Sequence, residues 1–202
     1  MLLTALNAIS PIDGRYYDKT SKLQPFFSEF ALFRYRVKIE IEYFIFLIRM
    51  DIPELSQLKH EENIVNLRKI YKNFTIKDCT LIKNIEGEIK HDVKAVEYFI
   101  GIKFEELKLQ KFKSFIHFGL TSQDINNTAL TLSIRDFIKK YLLNYISWIQ
   151  TSLQEKSTEW KYLVMLGHTH GQPAVPTTLG KELNVFNHRI SKPLRDLYAK
   201  EY

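Results

Sequence analysis

With 202 residues, 45% of them hydrophobic and 26% charged, the chain has the make-up of a folded protein of one large or two small domains, which excludes a disordered or fibrous polypeptide. Its single cysteine, Cys79, excludes an internal disulfide framework, and no apolar run approaches the ~20 residues of a membrane helix. The net charge of +6 is dispersed among acidic neighbours, as in Lys38-Ile39-Glu40-Ile41-Glu42, so it reads as a solvated or mildly basic surface open to a small polyanion, with no nucleic-acid motif.

The start, Met-Leu-Leu-Thr-Ala, has no basic segment or cleavage site, and a reducing cytoplasm is the expected location. Seven glycines and six prolines are few, which favours long helices and an all-α fold. Ser10-Pro11-Ile12-Asp13-Gly14 makes a turn that delivers Arg15 and Tyr16 side by side. Arg offers a donor fork for phosphate or carboxylate and Tyr a hydroxyl and a stacking face. On residue type alone, a surface Arg and a half-buried Tyr are the plainer reading.

From Ser28 to Met50 two periods compete. Residues 35–43 alternate like a strand, whereas Phe30, Phe33, Val37, Ile41, Phe44 and Ile48 form a helical stripe. Length decides for helix, with Asp51-Ile52-Pro53 as its stop. A second helix is expected over Glu61–Phe74, with Ile64, Leu67, Tyr71 and Phe74 on one face. In Lys90-His91-Asp92-Val93-Lys94, the spacing of Val93, Val96 and Ile100 puts His91, Asp92 and Lys94 at a helix end. There a carboxylate could fix the histidine's tautomer, or the group could simply be an exposed polar terminus.

Thr121-Ser122-Gln123-Asp124 resembles a capping box with Asp in place of Glu, so Thr121 or Ser122 should open a helix whose free N–H groups can receive an anion. That helix is expected to run past Trp148 to about Thr158, long enough for a bundle or an oligomer spine. Gly167-His168-Thr169-His170-Gly171-Gln172-Pro173-Ala174 is expected to be a loop between helices, rich in groups for chemistry. A last helix should start near Thr178, with Pro193 kinking it. The chain stops at Tyr202 within a helical pattern, as a truncated chain would. Lys/Glu-rich sequence around residues 103–112 marks the expected boundary, with an N-terminal helical domain at 1–108 and the first part of a helical bundle at 109–202.

Lys-His-Asp-Val-Lys-Ala-Val-Glu-Tyr, Thr-Ser-Gln-Asp-Ile-Asn-Asn and Thr-His-Gly-Gln-Pro-Ala, in this order, resemble the adenylosuccinate lyases of the bacterial purine-pathway type, within the aspartase/fumarase superfamily. Ser-Pro-Ile-Asp-Gly-Arg-Tyr is similar as well. The resemblance implies a nearly all-helical cytoplasmic enzyme, a small N-terminal domain followed by a long-helix domain, and a homotetramer with sites shared between subunits. It implies β-elimination of fumarate from a nucleotide substrate, with neither cofactor nor metal and with no nucleic-acid or membrane partner.

By the same resemblance His170 matches the acid that protonates the leaving nitrogen, and Thr169 a contact to the fumarate-side carboxylate. Thr121 and Ser122 match substrate-binding positions, Arg15 and Tyr16 a nucleotide-binding pair, and Lys90, His91 and Asp92 a second binding cluster. Such a reaction needs an acid and a base poised near the working pH and fixed donors for the growing negative charge. Two positions depart from the family: His168 stands where Arg is common, and Lys90 where Asn is. The family's serine-bearing signature loop, Ser-Ser-x-Met-Pro-x-Lys-x-Asn, does not occur in these residues, so the chain is expected to be inactive alone. Two other classes compete: a metal-dependent hydrolase using His168 and His170, and a non-catalytic helical assembly module.

Overall fold

A computed structural model of the chain describes residues 4–199. Helices follow one another as α1 (Tyr17–Thr20), α2 (Gln24–Phe27), α3 (Glu29–Arg49), α4 (Glu61–Lys72), α5 (Ile76–Ile89) and α6 (Asp92–Glu106), with 3-10 turns at Ser21–Leu23, Pro53–Leu58 and Gln110–Phe115. Next, α7 (Ser122–Phe137) passes through a π-helical turn, Ile138–Leu142, into α8 (Leu143–Glu159). Strands β1 (Val164–Thr169) and β2 (Gln172–Thr178) pair antiparallel before α9 (Leu179–Ala199). The all-α expectation holds, with this hairpin as its exception. The chain divides into two compact units between Ile134 and Arg135.

The first unit is organised on α3. Ser28 caps it, its Oγ accepting from the Ala31 amide at 3.1 Å, which satisfies one of the free N–H groups of the first turn. The expected stripe of Phe33, Val37, Ile41, Phe44 and Ile48 is buried, but so are Tyr35, Arg36 and Glu40. Burial over so wide an arc explains the period-two alternation: polar residues that would face solvent on a half-buried helix here face the interior. Around α3, Phe44 meets Phe104 at 4.9 Å and Phe74 meets Phe99 at 5.7 Å, both edge-on, the arrangement favoured by ring quadrupoles.

Ile64 and Leu67 of α4 and Val96 and Ile100 of α6 complete this core, and Val93 is buried as well, as their spacing predicts. Helix α5 goes beyond the expected elements. Its start is a full capping box: the Thr75 hydroxyl accepts from the Asp78 amide at 3.3 Å, and the Asp78 carboxylate accepts from the Thr75 amide at 2.9 Å. Thr75-x-x-Asp78 was therefore a readable helix signal.

In the second unit α8 and α9 run side by side along a polar seam. Gln150 Nε2 donates to Ser191 Oγ at 2.9 Å, Asn187 Nδ2 to Gln154 Oε1 at 2.7 Å, and Ser157 Oγ to the Gly180 carbonyl at 2.8 Å. Glycine is required at 180, because a Cβ there would lie 2.3 Å from the Ser157 carbonyl oxygen. The last helix begins one residue after the expected Thr178, whose hydroxyl accepts from the Lys181 amide, and it continues through Pro193. Among the described residues no helix is long and apolar enough to cross a membrane.

Candidate active site

Only Lys90 and His91 separate α5 from α6, so the chain reverses sharply there. Lys90 ends α5 in the left-handed conformation, φ 57°, where Gly or Asn is the residue of low strain. His91 caps α6, its Nδ1 accepting from the Lys94 amide at 3.1 Å. An accepting Nδ1 carries no proton, so the neutral ring holds its proton on Nε2. The helix-end expectation for His91, Asp92 and Lys94 holds, but Asp92 does not set the tautomer: its Oδ1 is 3.9 Å from the ring and accepts instead from the Val93 amide at 2.8 Å.

Asp92 Oδ2 is bound by Arg36 Nη2 at 2.6 Å, while Arg36 Nε donates to Asn126 Oδ1 on α7 at 2.9 Å. Burial opposes ionisation of Asp92, yet the Val93 amide and the Arg36 guanidinium outweigh it and hold the carboxyl below its ordinary value. One turn along α3, Glu40 Oε1 lies 2.6 Å from His117 Nδ1, and Tyr43 Oη donates to the Phe118 carbonyl at 2.8 Å. Thus α3 fastens both the Lys-His-Asp segment and the segment leading into Thr121-Ser122. Neither Arg36 nor Glu40 was a site candidate from sequence. The available signal was a pair of opposite charges at i and i+4 beside the apolar stripe of a helix.

The segment before α7 turns on two left-handed residues, His117 (φ 58°) and Gly119 (φ 72°). As expected, Thr121-Ser122 opens α7, but the box is half-made. The Asp124 carboxylate accepts from the Thr121 amide at 2.7 Å and from its hydroxyl at 3.0 Å, whereas the Asp124 amide donates to the Thr121 carbonyl. These bonds from the Thr121 amide and hydroxyl hold the Asp124 carboxyl below its ordinary value. The Thr121 donors thus already bind a carboxylate, supplied by the chain itself. Ser122 is half-buried beside it.

Arg15 and Tyr16 are exposed and stack on one another, with the guanidinium carbon 4.7 Å from the ring centre. Among the described residues they pair with each other and not with the α6 or α7 segments. A cavity of about 550 Å³ in the first unit has Lys94, Glu97, Tyr98 and Lys113 in its walls, and none of the expected site residues lines it.

Residues 164–178 form a hairpin where the sequence suggested an open loop over 167–174. Thr169 pairs with Gln172 and His168 with Pro173, leaving His170 and Gly171 as a two-residue tip with φ of 52° and 73°. Two positive φ values at the tip are the I′ geometry, whose twist matches that of the strands. Prolines 173 and 176 lie within β2, which is possible because in a two-stranded sheet every position is on an edge, where proline is tolerated. A register shift opposite Gly167 absorbs an extra β2 residue, and a Cβ at Gly167 would lie 2.6 Å from the Val175 carbonyl oxygen. His168, Thr169 and His170 are all exposed in the second unit. Among the described residues no group of three or more His, Cys, Asp or Glu is assembled to hold a metal ion.

A family profile described as lyase matches residues 14–199. The adenylosuccinate lyase of Dictyostelium discoideum is 47% identical over 199 residues, covering 96% of this chain and 43% of that protein. Those of Legionella pneumophila strain Corby and Escherichia coli K12 are 45% and 36% identical, covering 98% and 100% of this chain and 43% and 44% of theirs. The chain therefore spans less than half the length of these relatives. In fold it is similar to the β-carboxy-cis,cis-muconate cycloisomerase of Acinetobacter calcoaceticus, with a TM-score of 0.67 at 20% identity over 89% of this chain and 40% of that one. It is also similar to the class II fumarase of Schistosoma mansoni, with a TM-score of 0.56 at 17% identity over 83% of this chain and 36% of that one. Matched along residues 14–199, and similar over nearly its whole length to proteins that bear the name, the chain belongs to the lyase family.

Proposed function

We propose that this chain is part of an adenylosuccinate lyase that releases fumarate by β-elimination from adenylosuccinate, leaving AMP, and from the succinylcarboxamide ribotide of purine synthesis. The observation that carries the reading is the identity of 36–47% to proteins of that name along nearly the whole chain. In this reading His170, at the exposed tip of the hairpin, is the acid that protonates the leaving nitrogen, and Thr169 beside it contacts a substrate carboxylate. Thr121 and Ser122 at the start of α7 take a second carboxylate. For Thr121 this exchanges the Asp124 carboxylate for one from the substrate.

Arg15 is the phosphate contact and Tyr16 its stacking partner. Lys90, His91 and Asp92 form the other binding cluster, in which Asp92 is held by Arg36 and His91 offers a fixed tautomer. No cofactor or metal takes part. The working enzyme is a homotetramer in the cytoplasm, a reading supported by exposed Tyr145, Trp148, Ile149 and Phe186 on α8 and α9. The 202-residue chain alone is catalytically incomplete, since the serine-bearing signature sequence is not among its residues.

The test is fumarate release by a protein in which this chain continues to the length of its relatives. His170→Ala should lower turnover by roughly 10²- to 10⁴-fold, the usual contribution of a general acid. Undiminished turnover would sink the assignment. Turnover by the 202-residue chain alone would overturn the incompleteness.

A further inference from the structure

Glu40 is 2% exposed; Oε1 is bonded to His117, and the buried Oε2 has no hydrogen-bond partner among the described residues. The His117 backbone is left-handed, an unfavourable conformation for a residue with a β-carbon. Two local costs meet in one pair, and an apolar contact would seal α3 against this segment without the cost of the buried carboxylate. The His117 carbonyl accepts from the Leu120 amide at 3.2 Å, in the turn that leads into Thr121, whose amide donates to the Asp124 carboxylate. His117 thus stands between Glu40 and the turn that opens α7. The other charged groups acting on the Glu40 carboxylate are Glu97 and Lys94 of α6.

We propose that Glu40 is a positioning residue: its Oε1 keeps a proton on His117 Nδ1 in both charge states of the ring, so that Nε2 is the nitrogen that gains, loses or offers a proton beside the Thr121-Ser122 turn. An orienting carboxylate on one ring nitrogen is the usual way to dedicate the other to chemistry. The arrangement is opposite to that of His91, whose Nδ1 accepts an amide proton. The neutral rings therefore present a proton on Nε2 at His91 and a lone pair on Nε2 at His117. The place of this pair in catalysis rests on the lyase reading; the tautomer does not.

Long-range nitrogen–proton NMR of the imidazoles in the intact 202-residue chain, assigned with His117→Asn, reads which nitrogen carries the proton. Wild-type His117 should be the Nδ1–H tautomer wherever it is neutral. Glu40→Gln, which still offers a carbonyl acceptor, should keep it, and Glu40→Leu should lose it in favour of Nε2–H. Nε2–H in the wild type overturns the proposal with no variant needed, as does unchanged Nδ1–H in a natively folded Glu40→Leu. Should Glu40→Leu fail to fold, the wild-type and Glu40→Gln spectra decide. Failure of the His170→Ala assay would remove the lyase reading and leave the tautomer assignment intact.

Discussion

Arg36 Nη2 stands 2.6 Å from Asp92 Oδ2 and fastens the middle of α3 to the first residue of α6. Arg36 is 6% exposed, and its Nε is satisfied by Asn126, so one buried guanidinium ties three helices. Removing it takes away the donor to Asp92 Oδ2 and to Asn126 Oδ1. Breaking a buried pair costs roughly 3–5 kcal/mol, and the half-open Asp92 side chain, 43% exposed, puts Arg36→Ala at the low side of that range. Urea unfolding checks it: an unchanged midpoint would mean that the bridge carries no stability.

Stability should fall in acid. Asp78 and Asp92 are held below the ordinary 3.8, and Glu42 below 4.5, chiefly by its hydrogen bonds from Arg68. A carboxyl depressed in the folded state contributes stability that is present above its unfolded value and lost as pH drops through the folded one. The urea midpoint of the wild type should therefore drop as the pH falls below about 5, and that of Asp92→Asn, lacking one such group, should drop less. Parallel curves for the two proteins would contradict the assignment to Asp92.

Lys90 occupies a left-handed backbone position at the junction of α5 and α6. Such a conformation costs an ordinary residue roughly 1–2 kcal/mol, and Asn, which adopts it more readily, should recover up to about 1 kcal/mol. Lys90→Asn is thus expected to raise the thermal midpoint. A lowered midpoint would show that the lysine side chain makes a contact worth more than the relief of its backbone.

The two glycines of the hairpin should respond differently. At Gly167 an added methyl meets the Val175 carbonyl oxygen, whereas at Gly171 it meets nothing within 4 Å and only the positive φ opposes it. Gly167→Ala should abolish amide-exchange protection across β1 and β2. Gly171→Ala should weaken it by about 1 kcal/mol, the cost of a left-handed non-glycine residue. Equal effects would show that the close approach at Gly167 does not govern the pairing.

Much of the helical architecture was legible because each element announces itself locally. The stripe from Phe33 to Ile48, the apolar spacing of α6 and the start of α7 at Thr121-Ser122 all follow from periodicity and capping, which depend on near neighbours in sequence. The missed α5 carried an equally local signal in Thr75-x-x-Asp78. The hairpin differs from the expected open loop because its pairing is signalled only by the tip dipeptide His170-Gly171 between the short apolar runs Val164-Met165-Leu166 and Ala174-Val175, a weaker pattern than a helical stripe.

By itself the sequence determined the helices, the order of the motifs and the residue types available for acid and anion-binding chemistry. Only the tertiary structure decided which groups those residues face. His91 and Asp92 are neighbours in sequence, yet the ring caps α6 and the carboxylate turns to Arg36, 56 positions away. Glu40 and His117 are 77 positions apart and share a hydrogen bond at 2.6 Å. No local pattern encodes such a pairing. It arises because the packing of α3 against α6 and the segment before α7 strips water from these charges, and a buried charge is tolerable only where the fold supplies its partner.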